Sequence, residues 1–116
     1  MSTVPCVARS EIDGVAVISP VGDFDIATLH LLRAAFDQAV GPATDRVVLD
    51  LSRTTFLDSM AIGVVIGLAR RVEGQGGWLR LVAPRPNVRT VLRITGLDRA
   101  FGLYDTLDQA LKHVDA

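Results

Sequence analysis

The sequence predicts an α/β fold, a single domain over residues 1–116 with a mixed sheet of four to five strands and about four α-helices. Its 116 residues suffice for one hydrophobic core. Residues 47–51 form a short, largely aliphatic run, which is typical of a central strand covered on both faces. Strand-like and helix-like segments then alternate with short connections. This alternation indicates helices packed against a mixed sheet.

A β-hairpin opens the chain. Residues 6–9 and 15–19 read as strands, and Asp13-Gly14 between them suits the positive φ of a tight turn. Pro20 and Gly22 predict the end of the second strand. Cys6 is the only cysteine, which excludes an intrachain disulfide and fits a reducing compartment. Its apolar neighbours predict a small buried side chain.

The first helix follows this hairpin. Asp25 is the expected N-cap, because its carboxylate can accept hydrogen bonds from the free N–H groups of a helix start. Gly41-Pro42 should end the helix. Apolar residues recur between them at helical spacing: Ile26, Leu29, Leu32, Phe36 and Val40.

The second half of the chain predicts three more helices and two more strands. Helices are expected over residues 60–73, 86–95 and 106–113, with a capping box at Thr106 and Gln109 opening the last one. Strands are expected over residues 78–82 and 101–104. The side chains expected to face inward from the third helix are Val88, Val91, Leu92 and Ile94.

The sequence lacks the motifs of most classes of enzyme. The chain has neither a phosphate-binding loop nor a dinucleotide fingerprint, and its two histidines are too far apart for metal-ligand spacing. Ser59 lacks the glycines of a nucleophile elbow. We therefore expect no enzymatic activity, no cofactor and no metal.

Charge and hydropathy exclude further classes. The net charge of −1 gives no reason to expect direct nucleic-acid binding. No apolar run is long enough to span a bilayer, and no signal peptide is evident. We expect a cytoplasmic protein without a membrane partner.

The helix over residues 60–73 has an unusual outward face. On a helical wheel, Ala61, Ile62, Val65, Ala69 and Val72 face the core. The opposite face has Met60, Gly63, Val64, Gly67, Arg70 and Arg71. Each mid-helix glycine costs about 1 kcal/mol relative to alanine, so this flat face is predicted to contact a partner protein. Two alternatives stay open: Ser59 is only an N-cap, or the glycines pack under a loop of the same chain.

Three segments together carry a family resemblance. "VVLDLSRTTFLDSMAIGVVIGLARR" (residues 47–71) resembles the central motif of the STAS domain in bacterial anti-sigma factor antagonists. "PVGDFDIAT" (20–28) is similar to the segment that opens that family's first helix. "GGWLRLVAPRPNVRTVLRITGLDRAF" (76–101) is similar to its later strand and helix. The resemblance covers essentially the whole chain.

The resemblance implies a function and a set of residues. Ser59 aligns with the serine that an anti-sigma factor, itself a serine protein kinase, phosphorylates. Asp58 aligns with the acidic neighbour and Asp25 with the first-helix aspartate. The unphosphorylated form would bind the anti-sigma factor and free a sigma factor, and a serine phosphatase would restore it. The expected partner-binding residues are Asp23, Asp25, Asp58, Ser59, Met60, Gly63, Val64, Gly67 and Arg71.

The sequence departs from the family pattern beside the serine. Met60 and Ala61 replace the usual Ser-Gly, and Asp23-Phe24 replaces Glu-Leu. An alternative within the same fold is an accessory subunit of a transporter or other complex, which would bind partners without phosphorylation of Ser59. A small-molecule sensor would need a concave apolar pocket, which nothing in the sequence marks.

Overall fold

Residues 4–112 are described by a computed structural model, and the predicted α/β class is confirmed. The strands are β1 (Cys6–Ile12), β2 (Val15–Phe24), β3 (Arg46–Asp50), β4 (Thr54–Leu57), β5 (Trp78–Val82) and β6 (Gly102–Tyr104). The helices are α1 (Leu29–Ala39), α2 (Ser59–Gly74), α3 (Pro86–Ile94), α4 (Leu97–Ala100) and α5 (Leu107–Leu111). Over residues 4–112 there are thus six strands and five helices, one of each more than predicted. The predicted end of the last helix, His113, lies outside the described residues.

The sheet is mixed, as predicted. Its strand order is β1-β2-β3-β5-β6, and β4 pairs with the far end of β2. The β1–β2 pair is antiparallel, joined by the predicted turn in which Asp13 and Gly14 have positive φ. The remaining pairs are parallel. Because α1 and α2 follow β2 and β4 directly, both helices begin at the same edge of the sheet.

Strand β2 does not end at Pro20 and Gly22 as predicted. It continues to Phe24, because Pro20 lies between the segment that pairs with β3 and the segment that pairs with β4. The Gly22 N–H points toward the β4 side and donates to Arg53 O at 3.0 Å. Residues two apart in a strand direct their backbone N–H groups to the same side. An N–H at position 20 would therefore point into the gap between β3 and β4, where no strand would accept it, so proline is tolerated there.

Two apolar cores lie on opposite faces of the sheet. The larger core joins the sheet to α1, α2, α3 and α4, and Phe24, Leu32, Leu49 and Leu81 are fully buried in it. The smaller core is covered by α5 through Ala110. Burial of these apolar side chains provides the main stabilisation, at about 25 cal/mol for each Å² of apolar surface.

Three predicted burials are wrong. Ile26 is 73% exposed, because the chain makes a turn there and α1 begins only at Leu29. Ile94 is 77% exposed at the last position of α3, whose buried residues are Val88 and Leu92. Cys6 is exposed, because it is the first residue of β1, an outer strand of the sheet, and the β1 side chains that pack on the two cores are Val7 and Ile12.

Candidate functional site

The two segments expected to form the site meet at one edge of the sheet. Residues 23 and 24 of β2 pair in parallel with residues 56 and 57 of β4. Immediately afterwards, the Asp58 N–H donates to Phe24 O at 3.1 Å. These bonds hold the start of α2 beside the turn that precedes α1. The turn and the helix start therefore form one continuous surface.

Asp58, and not Ser59, caps α2. Its backbone is extended (φ −90°, ψ 179°), and its carboxylate accepts from the Ala61 N–H at 2.9 Å. Ser59 is the first helical residue and is exposed. Within the described residues no hydrogen bond ties its hydroxyl. The alternative that Ser59 serves only as an N-cap is therefore wrong.

Asp25 does not cap α1, which corrects the prediction. Its Oδ1 accepts from the Ala27 N–H at 2.9 Å and so closes a local turn. The cap position is Thr28. The Thr28 hydroxyl donates to Asp23 O at 3.0 Å and accepts from the Asp25 N–H at 3.0 Å. Asp25 thus fixes the approach to the helix from three residues upstream of the cap.

Asp23 is exposed beside the same turn, and its Oδ1 accepts from the Thr55 hydroxyl of β4. Together with Asp25 and Asp58, it gives this edge three carboxylates. In the described residues none of the three forms an ion pair. The edge therefore has a negative charge even before any modification of Ser59.

The predicted outward face of α2 is confirmed as a surface. Met60 is 48% exposed, Gly63 and Gly67 are exposed, and Val64 is half-buried. A Cβ atom added at either glycine would meet nothing within 4 Å. The alternative that a loop of the same chain packs on these glycines is therefore wrong for residues 4–112.

A groove of about 570 Å³ runs between α1 and α2 and includes this face. From α1 it is lined by Arg33, Phe36 and Asp37, and from α2 by Ser59, Met60, Gly63, Val64, Gly67, Leu68 and Arg71. Ser59 lies at one end, about 18 Å along α2 from Arg71 at 1.5 Å per residue. The floor is apolar and the ends are polar.

An ion pair closes the far end of the groove. Arg71 Nη2 contacts Asp37 Oδ1 at 2.9 Å, and both side chains are partly exposed. Arg71 was predicted to contact a partner, but in this structure its partner is the neighbouring helix. An exposed pair of this kind is worth less than about 1 kcal/mol, so a partner could displace it.

Two exposed apolar side chains beside Ser59 were missed from the sequence. Phe56 in β4 is 46% exposed, and Ile26 projects from the turn before α1. Phe56 follows two threonines and precedes the Leu-Asp-Ser of the motif. An aromatic residue at this position, outside any pattern of buried residues, was the signal in the sequence that could have predicted an exposed contact residue. Ile26 was misread because its position also fits a helical stripe.

Residues 4–112 contain neither a metal-binding cluster nor a membrane-spanning helix. No three His, Cys, Asp or Glu side chains there lie close enough together to hold a metal ion. No helix in the same range combines the length and the apolar composition that a membrane span requires.

Comparison with known proteins gives consistent matches. The family model described as STAS domain matches residues 7–110. The anti-sigma-F factor antagonist RsfB of Mycobacterium tuberculosis is 32% identical over 102 residues, which is 88% of this chain and 83% of that protein. A crystal structure of an anti-sigma factor antagonist from Mycobacterium paratuberculosis superposes with a TM-score of 0.90 at 31% identity, covering 100% of both chains.

A third match, the antagonist SpoIIAA in its unphosphorylated form, has a TM-score of 0.76 at 27% identity over 95% of this chain and 96% of that one. The chain belongs to the STAS domain family.

Proposed function

We propose that this protein is an anti-sigma factor antagonist whose unphosphorylated form binds an anti-sigma factor through the edge around Ser59 and the outward face of α2. The observation that carries the proposal is an exposed Ser59 hydroxyl on the first turn of a helix whose neighbouring face is apolar, glycine-rich and uncovered in the described residues. The relatives named as anti-sigma factor antagonists support the same function.

The surface has the composition of a protein interface. Ile26, Phe56 and Met60 are exposed on the two segments that meet at the Ser59 edge, and polar residues lie beside them, as in the apolar centre and polar edge of known interfaces. Gly63 and Gly67 allow the backbone of a partner to approach closely. Asp23, Asp25 and Asp58 would attract a partner with basic residues at this end.

Phosphorylation of Ser59 acts on this contact through charge and size. A phosphate adds about −1.5 to −2 charges, next to carboxylates that are already negative. The N-terminus of a helix stabilises an anion, so the protein stays folded. A hydrated dianion beside Met60 and Gly63 occupies the space that the partner needs. The outcome is a steric and electrostatic block with little refolding.

The partners follow from this switch. The anti-sigma factor acts as the serine protein kinase that modifies Ser59, and a serine phosphatase removes the phosphate. Binding to the unmodified protein releases the sigma factor. The protein acts in the cytoplasm as a binding module and not as an enzyme.

Intact mass spectrometry tests the switch. The protein is incubated with ATP and the anti-sigma factor kinase of the same organism, and the wild type should gain one phosphate, about 80 Da. Ser59→Ala should gain none, while Thr55→Ala, a control at the neighbouring hydroxyl, should gain the same phosphate as the wild type. Partner binding without any mass gain would contradict the switch and favour the accessory-subunit alternative.

A further inference from the structure

The groove between α1 and α2 is a concave site and not only a flat contact face. Its floor is formed by Phe36, Val64 and Leu68, and Gly63 and Gly67 of α2 open directly into it. Mid-helix glycine destabilises α2, and here no atom of the described chain uses the space that the missing side chains leave. The space is thus available to a segment of another molecule.

The two cations of the groove differ in their pairing. Arg71 is already bound to Asp37. Arg33 lies one turn before Asp37 in α1 and is exposed. No carboxylate of residues 4–112 forms an ion pair with it. Arg33 is therefore the cation of this groove that remains available to an incoming anion.

The charges along the groove also differ from one part of it to the next. Its Ser59 end is next to the carboxylates of Asp25 and Asp58, whereas its middle has the guanidinium of Arg33. Side chains on a helix lean toward the helix N-terminus, and α1 and α2 begin at the same edge of the sheet. Arg33 lines the groove from α1, and by this rule its side chain is expected to lean toward the Ser59 end.

We propose that this groove receives an apolar segment of the anti-sigma factor that has an acidic side chain, and that Arg33 binds that carboxylate. The assignment rests on the proposed function and adds the chemistry of the partner. A guanidinium binds a carboxylate through two parallel hydrogen bonds. The partner segment lies with its apolar side chains over Gly63 and Gly67, and its basic residues face the acidic edge at Ser59.

Binding measurements on charge variants test the assignment. The probe is the purified anti-sigma factor kinase of the same organism, titrated into the wild type, Arg33→Glu and Arg33→Gln. We expect Arg33→Glu to raise the Kd about tenfold, since one attraction becomes a repulsion, and Arg33→Gln to raise it less. Arg93→Glu is the control: Arg93 is an exposed arginine of α3 that lies neither in the groove lining nor on the outward face of α2, and the Kd of this variant should stay within about twofold of the wild type.

Amide chemical shifts provide a second readout. On adding the anti-sigma factor to ¹⁵N-labelled protein, the resonances of Gly63, Gly67 and Arg33 should shift or broaden. Unchanged resonances elsewhere in free Arg33→Glu would show that this variant folds normally.

Three results would overturn the assignment. An unchanged Kd for Arg33→Glu would remove the acidic contact while leaving the proposed function intact. Tighter binding by Arg33→Glu would mean that the segment in the groove is basic. No binding by the wild type would end both the assignment and the proposed function.

Discussion

Asp58 and Ser59 are neighbours with separate tasks. The Asp58 carboxylate satisfies the Ala61 N–H and fixes the first turn of α2, so the Ser59 hydroxyl is not needed for capping. An exposed hydroxyl without a structural bond can gain or lose a phosphate at little cost to the fold. At this scale the structure assigns the capping of α2 to Asp58 and leaves the Ser59 hydroxyl free for the proposed phosphorylation.

This separation predicts the effect of removing the cap. Asp58→Ala should lower the free energy of unfolding by about 1 kcal/mol, measured by urea denaturation. Asp58→Ser keeps a capping oxygen and should lose only a small part of this. Ser59→Ala should leave the stability nearly unchanged. A larger loss for Ser59→Ala than for Asp58→Ala would mean that the capping role is misassigned.

Gly63 should lower the stability of the protein while favouring partner binding. Because its added Cβ meets open space, Gly63→Ala should raise the free energy of unfolding by up to about 1 kcal/mol. The same methyl group would obstruct a partner backbone and raise the Kd for the anti-sigma factor.

Gly74→Ala is the matched control for this experiment. Gly74 is the last residue of α2, its added Cβ also meets nothing within 4 Å, and it does not line the groove. Its substitution should leave binding unchanged. If Gly63→Ala stabilised the protein and bound its partner as tightly as the wild type, the face of α2 would not be the contact.

At the scale of elements, periodicity predicted the long segments and failed at the short ones. Helix α2 was placed within one residue at each end, because its pattern covers four turns. Strand β4 was missed, since four residues with one exposed aromatic give almost no alternation. Its existence depends on pairing with the far end of β2, a tertiary contact that no local pattern contains. The short helix α4 follows Gly96, whose φ of 79° ends α3.

Helix α5 depends on one arginine. The Arg80 guanidinium stacks on the Trp78 ring at 4.0 Å and donates to Ala110 O at 2.8 Å and Lys112 O at 2.9 Å. It thereby fastens α5 to the sheet face opposite α1 and α2. A five-residue helix is too short to be stable alone, so these bonds and the smaller core hold it.

Hydrogen exchange tests this role of Arg80. In Arg80→Met the amides of residues 107–111 should exchange about tenfold faster, because two hydrogen bonds from a charged donor are lost. Amides at the start of α2 should keep their wild-type rates, and Arg70→Met should change neither region. Equal exchange of α5 in Arg80→Met and wild type would show that the apolar contacts of α5 suffice.

At the scale of the whole molecule, the site lies where the ends of β2 and β4 meet two parallel helices. The sequence predicted that Ser59 and the outward face of α2 belong to the site, because stability alone does not explain the mid-helix glycines and the Asp-Ser pair. It could not predict that Phe56 and Ile26 lie at the site or that Arg33 lines the groove. Those residues reach the site only through folding, and the partner-binding roles of all of them remain predictions.

In the proposed switch, one phosphate on Ser59 decides whether the anti-sigma factor can bind. The most direct measurement is calorimetric titration of the anti-sigma factor into two forms of this protein, one unmodified and one with phosphoserine incorporated at position 59. We expect at least a hundredfold weaker binding by the phosphorylated form, equivalent to about 2.7 kcal/mol, with matching circular dichroism of both forms. Equal affinities would contradict it.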